Sequence, residues 1–140
     1  MKQQIRTYVH KTQYYETDQM GIIHHSNYIR WFEEARVDFL EQIGYSYQRL
    51  EQEGIYSPVL KISCDYKSMI RFGDRIEVQI SLTSSTPYKF TIRYRLTDAG
   101  SGEDRAAGES SHCYMDGTGN PVSIKKKNHE FYETLDRYKE

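Results

Sequence analysis

Between residues 28 and 43 the chain carries its strongest helical signal. Tyr28, Ile29, Trp31, Phe32, Ala35, Phe39, Leu40 and Ile43 recur at helical spacing, with Arg30, Glu33, Glu34, Asp38, Glu41 and Gln42 falling largely opposite. The pattern predicts one long amphipathic helix, entered through the capping residue types Ser26 and Asn27 and stopped by Gly44. Ahead of it, residues 4–15 are rich in β-branched and aromatic types and predict a first strand. After it, residues 46–54 form a shorter helical piece ending at Gly54, and Pro58 separates this from a change of period. Leu60, Ile62, Cys64 and Tyr66 alternate with Lys61, Ser63, Asp65 and Lys67, which is a strand with one apolar face. The alternation returns at Ile76, Val78, Ile80 and Leu82 after the Phe72-Gly73-Asp74 turn, and again at Tyr88, Phe90, Ile92, Tyr94 and Leu96. A Gly/Ser/Asp-rich loop over 98–104 precedes a weaker strand over 105–115, closed by turn chemistry at 116–121. Phe131, Tyr132, Leu135 and Tyr138 then predict a terminal helix over 128–139. One long helix followed by strands joined by short turns implies an antiparallel sheet packed around that helix, an α+β domain.

Composition narrows the function classes. At 140 residues the chain fits one domain, 1–140, and no repeat or linker divides it. With 19 basic and 20 acidic residues the net charge is −1, so there is no global electrostatic case for nucleic acid or an anionic membrane surface. No apolar run approaches membrane-spanning length, and M-K-Q-Q-I-R-T-Y lacks the apolar segment of a secretory signal, so a cytoplasmic location is expected. Cys64 and Cys113 show no C-x-x-C spacing and read as small buried side chains. Thirteen tyrosines suit strands, and they also suit surfaces that are buried on assembly.

Chemistry concentrates in residues 18–36, D-Q-M-G-I-I-H-H-S-N-Y-I-R-W-F-E-E-A-R. Gly21 allows a tight turn that feeds a helix start. Asp18 lies just upstream of that start, where unpaired N–H groups and a partial positive charge suit an acyl-transfer site. Aspartate is equally a common turn residue, and the residues alone leave the two readings even. His25 is open to a structural reading in the same way. His24 and His25 are adjacent, share no face and have no further ligand at metal-binding spacing, so no metal is expected. Ser57, Ser63, Ser84 and Ser85 lack a nucleophile context, and no phosphate-loop lysine or dinucleotide glycine fingerprint occurs. Glu33 and Glu34 read as a solvated helix face, with Glu33 held as a reserve acid.

The run Y-x-x-x-D-x-x-G-I-I-x-H-x-N-Y-x-x-W-x-E over residues 14–33 resembles the signature of hotdog-fold acyl-CoA thioesterases of the 4-hydroxybenzoyl-CoA thioesterase type. The order of elements follows that family over nearly the whole chain. The resemblance implies a hotdog fold, a sheet wrapped around one helix, and cofactor-free hydrolysis of an acyl-coenzyme A to the free acid and the thiol. It implies Asp18 as nucleophile or general base and the backbone N–H of His25 as the group that polarises the carbonyl. Gly21, Asn27 and Tyr28 become substrate-binding positions of the motif. Lys67 and Lys89, near strand ends, become candidates for the phosphates of coenzyme A, with the Lys125-Lys126-Lys127 run, which reads first as a loose basic loop before the terminal helix, next in line. Tyr28, Trp31, Tyr56 and Tyr66 are expected to wall the pocket. Open sheet edges imply a homodimer or homotetramer. The alternatives are a non-catalytic hotdog domain that binds an acyl thioester or a carrier protein, and a hotdog dehydratase, whose H-F-P-like entry is missing here.

Overall fold

The computed structural model of the protein describes residues 4–140, so the first residues of the stretch read for a secretory signal lie outside the described part. Strand β1 (Tyr8–Lys11) leads through a single 3-10 turn at Tyr14–Glu16 into helix α1 (Ser26–Gln42) and helix α2 (Tyr47–Gln52). Strands β2 (Val59–Tyr66), β3 (Arg75–Ser85), β4 (Lys89–Asp98) and β5 (Asp104–Cys113) follow, then helices α3 (Ile124–Lys127) and α4 (His129–Tyr138). The strands form one antiparallel sheet in the order β1-β3-β4-β5-β2. This is the expected α+β arrangement. Among the described residues no helix is long and apolar enough to cross a membrane.

The predicted stripe of α1 is what the sheet covers: Tyr28, Trp31, Phe32, Ala35, Phe39 and Leu40 are all buried. Facing it are the inward residues of the central strands, Ile76, Val78 and Leu82 of β3 and Phe90, Ile92, Tyr94 and Leu96 of β4. Phe32 stacks on Tyr94 with ring centroids 4.4 Å apart. The α1 chain reverses at Gly44, whose φ of 93° is open chiefly to glycine. Helix α4 closes the far end of the core, with Asn128 accepting from the Phe131 amide and Phe131 packed on Tyr45 at 4.8 Å.

Three expectations need correction. The first strand is shorter than residues 4–15, because Thr12 leaves the ladder: its hydroxyl bonds the Arg71 and Asp74 carbonyls and accepts from the Gly73 amide. The Lys125-Lys126-Lys127 run is not a loose loop but lies within α3. Strand β2 has the alternation of a half-buried strand, yet Leu60 and Tyr66 on its apolar face are 52% and 48% exposed. It is an edge strand whose middle, Ile62 and Cys64, packs on the core while both ends stay exposed.

A polar chain runs through the core beside α1. Arg36, 3% exposed, donates from Nε to the Tyr47 hydroxyl at 2.6 Å and from Nη1 to the Tyr94 hydroxyl at 3.2 Å. Tyr94 meets Ser110 at 2.6 Å, and Ser110 meets His112 Nε2 at 2.8 Å. Arginine can only donate, so both phenol oxygens accept from Arg36, and the chain continues from Tyr94 through Ser110 to His112 Nε2. His112 is fully buried, and burial, then the Arg36 charge, lowers its pKa to about 4 against an opposing influence of the Ser57 backbone.

Two outcomes follow from this packing. A Cβ on Gly108 would lie against the Phe32 ring and 2.5 Å from the Ser63 carbonyl oxygen. Gly108→Ala should therefore lose about 1–3 kcal/mol by overpacking, read as a lower urea midpoint; an unchanged midpoint would mean that the helix and sheet part there at no cost. His112 is the second case. Its folded pKa lies below its unfolded value of 6.5, so the native state binds fewer protons between them. Its contribution is complete above pH 6.5 and is lost as pH falls toward about 4, to a limit of about 3 kcal/mol. Denaturation midpoints across that window should fall less steeply in His112→Gln than in the wild type, and equal slopes would remove His112 as the titrating group.

Candidate active site

The site is built on the connection between β1 and α1. Asp18 opens a tight turn: its amide donates to the Ile22 carbonyl at 2.8 Å, and its own carbonyl accepts from the Gly21 amide at 3.0 Å. Gly21 stands at φ 76°, which is why glycine is needed there. Within the turn, Asp18 Oδ1 accepts from the Met20 amide at 2.8 Å, the self-capping habit of aspartate. Among the described residues no donor meets Oδ2. The turn is clamped from both sides, by antiparallel bridges Thr17 to Ile23 and Ile22 to Arg71 and by the Ile23 amide on the Ile70 carbonyl.

Helix α1 starts differently from the sequence expectation. Ser26 and Asn27 do not cap it through their side chains; instead the His24 ring accepts at Nδ1 from the Ser26 amide (3.2 Å) and meets the Ser26 hydroxyl (2.8 Å). The Asn27 amide group points back into the protein and donates to the Glu16 and His24 carbonyls at 2.9 and 3.3 Å. The His25 backbone N–H has no acceptor among the described residues. It is a free donor at the positive end of a 17-residue helix.

These groups meet at a cleft of about 340 Å³ whose wall includes Asp18, Ile22, His25, Tyr28, Tyr66 and Lys67. Tyr66 donates its hydroxyl to the His25 carbonyl at 3.1 Å and stands edge-on to Tyr28, centroids 4.8 Å apart. Burial, then the nearby Cys64 and Tyr66, pushes the Tyr28 phenol up to about 12, so it faces the cleft as a neutral group. The Cys64 thiol is likewise pushed up to about 11 by burial, which outweighs the opposing influence of the nearby Tyr66 hydroxyl and keeps it protonated.

Asp18, His25, Tyr28 and Lys67 are thus brought together as the sequence suggests. Gly21 shapes the turn without lining the cleft, and the Asn27 side chain is spent on the two carbonyls. Lys89 is far away within the chain. Tyr66 pairs with Ala106, whereas Lys89 pairs with Cys113, seven residues further along β5, or roughly 23 Å at strand rise. Of the expected walls, Trp31 is wholly buried in the core and Tyr56 lines a separate cavity near the start of β2. Glu33 borders a shallow groove with Tyr8 and Val37 on another face of α1. The His24 and His25 rings stack at 4.2 Å, and among the described residues no group of three His, Cys, Asp or Glu side chains could hold a metal ion.

One residue at the site carried no sequence signal of function. Glu16 is 5% exposed, and its carboxylate accepts from the Gln13 amide at 2.7 Å, Trp31 Nε1 at 2.8 Å and His10 Nε2 at 3.0 Å. Burial alone would raise its pKa, but these donors hold it below the ordinary value. Its three-residue spacing from Gln13 was the only hint, and capping of a single turn gives no reason to expect a buried carboxylate.

Residues 12–133 match the family model of the Thioesterase-like superfamily. The crystal structure of protein AQ1494 from Aquifex aeolicus superposes with a TM-score of 0.85 at 35% identity, over 94% of this chain and 99% of that one. That of the DHNA-CoA thioesterase from Staphylococcus aureus gives a TM-score of 0.89 at 27% identity, over 94% and 88%. In sequence, the acyl-CoA thioester hydrolase YbgC of Escherichia coli O6:H1 is 31% identical over 87 residues, 61% of this chain and 65% of its own. A match running from the exit of β1 into α4, with superposition over nearly the whole chain, establishes that this hotdog-fold protein belongs to the Thioesterase-like superfamily.

Proposed function

We propose that this protein hydrolyses an acyl-coenzyme A thioester to the free carboxylic acid and coenzyme A, with Asp18 as nucleophile or general base. One observation carries the reading: a single cleft is lined by Asp18, whose Oδ2 has no donor among the described residues, and by His25, whose N–H at the helix start has no acceptor among them. The His25 N–H suits the oxygen of the thioester carbonyl, where negative charge grows as the tetrahedral intermediate forms. Asp18 Oδ2 then either attacks the carbonyl carbon or takes a proton from the attacking water. Either role needs the carboxylate in its ionised form. The thioesterase names of the relatives support the same chemistry. A cytoplasmic location accords with the composition and with a coenzyme A ester as substrate.

The assembly proposed is a homodimer, or a tetramer built from it, paired through β2. This edge strand presents unpaired backbone groups and the exposed side chains of Val59, Leu60 and Tyr66. Antiparallel pairing about a two-fold axis at the middle of β2 sets the Lys67 end of one protomer level with the Lys89 end of its partner. Three strand spacings, about 15 Å, then separate Lys67 from the partner's Lys89. The two lysines that are remote within one chain become neighbours along one coenzyme A molecule.

Asp18→Asn keeps the shape of the turn and removes the charge. It should give a folded, assembled protein that still binds ligand and has lost at least roughly two powers of ten in kcat on an acyl-CoA panel. Wild-type turnover in this variant would return Asp18 to a turn residue, and ligand binding without hydrolysis in the wild type would mark a binding domain. For the assembly, light scattering at micromolar concentration should show a dimer or larger. Lys67→Ala and Lys89→Ala should each raise KM more than they lower kcat, since contacts to the nucleotide end are equal in ground and transition states. A monomer, or unchanged KM in both variants, would remove the two-chain site and direct attention to Lys125, Lys126 and Lys127.

A further inference from the structure

Glu16 does more than fill a gap in the core. Its side chain joins two elements, His10 on β1 and Trp31 on α1, through bonds of 3.0 and 2.8 Å. An ionised carboxylate only accepts, so His10 donates through Nε2–H and Trp31 through its indole N–H. The grip is packed as well as bonded: the His10 ring lies 4.7 Å from Trp31, and Trp31 lies 5.3 Å from Tyr28 of the cleft wall. Behind His10 a further carboxylate, Glu34, stands 3.5 Å from Nδ1 and accepts from the Tyr8 hydroxyl at 2.8 Å. Burial first, and then this Glu34 bond, raises the Tyr8 phenol well above its ordinary value, so Tyr8 stays a donor.

The backbone of the same residue holds the other half of the site. The Glu16 carbonyl accepts from the His24 amide at 2.8 Å and from Asn27 Nδ2 at 2.9 Å. The His24 amide lies one peptide before the His25 N–H, and the peptide that carries that N–H is held at its His24 carbonyl by the Asn27 backbone amide and Nδ2. Two residues after Glu16 the chain reaches Asp18. We propose that Glu16 is a positioning residue that sets the Asp18 carboxylate and the His25 N–H at a common spacing, a proposal that rests on the thioesterase reading above. Packing alone would be met by an apolar side chain, which needs no ionised group taken out of water. What a carboxylate adds is direction, since three donors from three parts of the chain converge on two oxygens. Reaction rate is steeply sensitive to misplacement on the scale of an ångström, so loss of that direction reaches kcat first.

The experiment compares Glu16→Gln and Trp31→Phe, each alone and combined with Asp18→Asn, in the full-length assembled protein. Steady-state kinetics use an acyl-CoA that the wild type hydrolyses, and circular dichroism and light scattering check fold and assembly. Glu16→Gln should lower kcat at least about tenfold with KM within about twofold, because the donors that matched a carboxylate now meet an amide. Trp31→Phe leaves Glu16 charged and bonded to His10 and Gln13, and should lower kcat by about threefold or more. Both losses should shrink in the Asp18→Asn background, where the group being positioned is gone. Amide exchange over residues 18–25 should quicken at least about tenfold in Glu16→Gln while β3 and β4 stay at wild-type rates. Folded variants with wild-type kcat, a rise in KM alone, or undiminished losses on Asp18→Asn would each overturn the proposal. So would unchanged exchange over residues 18–25, whatever the activity. Should Glu16→Gln not fold, Trp31→Phe decides. Full turnover in Asp18→Asn sinks the catalytic reading of Asp18, whereas a dead Asp18→Asn beside fully active Glu16→Gln and Trp31→Phe sinks only the positioning role.

Discussion

Phe32 lies on the bare backbone of Gly108 and stacks on Tyr94, and this contact decides where α1 rests on the sheet. A helix is a rigid rod, so its N-terminus inherits whatever position its buried face adopts. Tyr28, one turn earlier, comes to stand against Tyr66 at the end of β2, and His25 comes to line the cleft. The site is therefore a consequence of core packing rather than of the loop that carries Asp18. Loops alone would not hold a carboxylate and a helix start at a fixed spacing, because exposed connections have few contacts to limit them.

The buried polar groups follow a common rule. Arg36 has two phenols and Glu16 has an indole, an imidazole and a backbone amide, so neither sits in the core without bonding partners. Such groups contribute little net stability compared with apolar residues of the same volume, since desolvation offsets much of what their bonds provide. They do exclude alternative arrangements. Arg36 ties α1 to α2 and β4, and Glu16 ties α1 to β1 and to the turn before it, so the helix cannot slide or rotate without stranding a charge.

The sequence by itself determined the elements whose local signals are strong. The length of α1, the period-two strands β3 and β4, and the Asp18 to Gly21 turn were legible because amphipathic spacing and positive-φ glycine act over a few residues. It also put Asp18, His25 and Tyr28 in one motif, and the cleft contains all three. Only the tertiary structure decided the rest. Lys67 and Lys89 look alike as basic residues near strand ends, but the register of β2, β5 and β4 sends them to opposite ends of the sheet. The alternation of β2 matches that of a covered strand, and its exposure follows from strand order, which no local pattern encodes. Asn27 reads as a cap and Trp31 as a member of the apolar stripe and a wall of the pocket, yet each is turned by a hydrogen bond to Glu16, eleven and fifteen residues earlier in the chain. A donor chooses its acceptor by distance in space, and the fold alone brings such groups within 3 Å of each other.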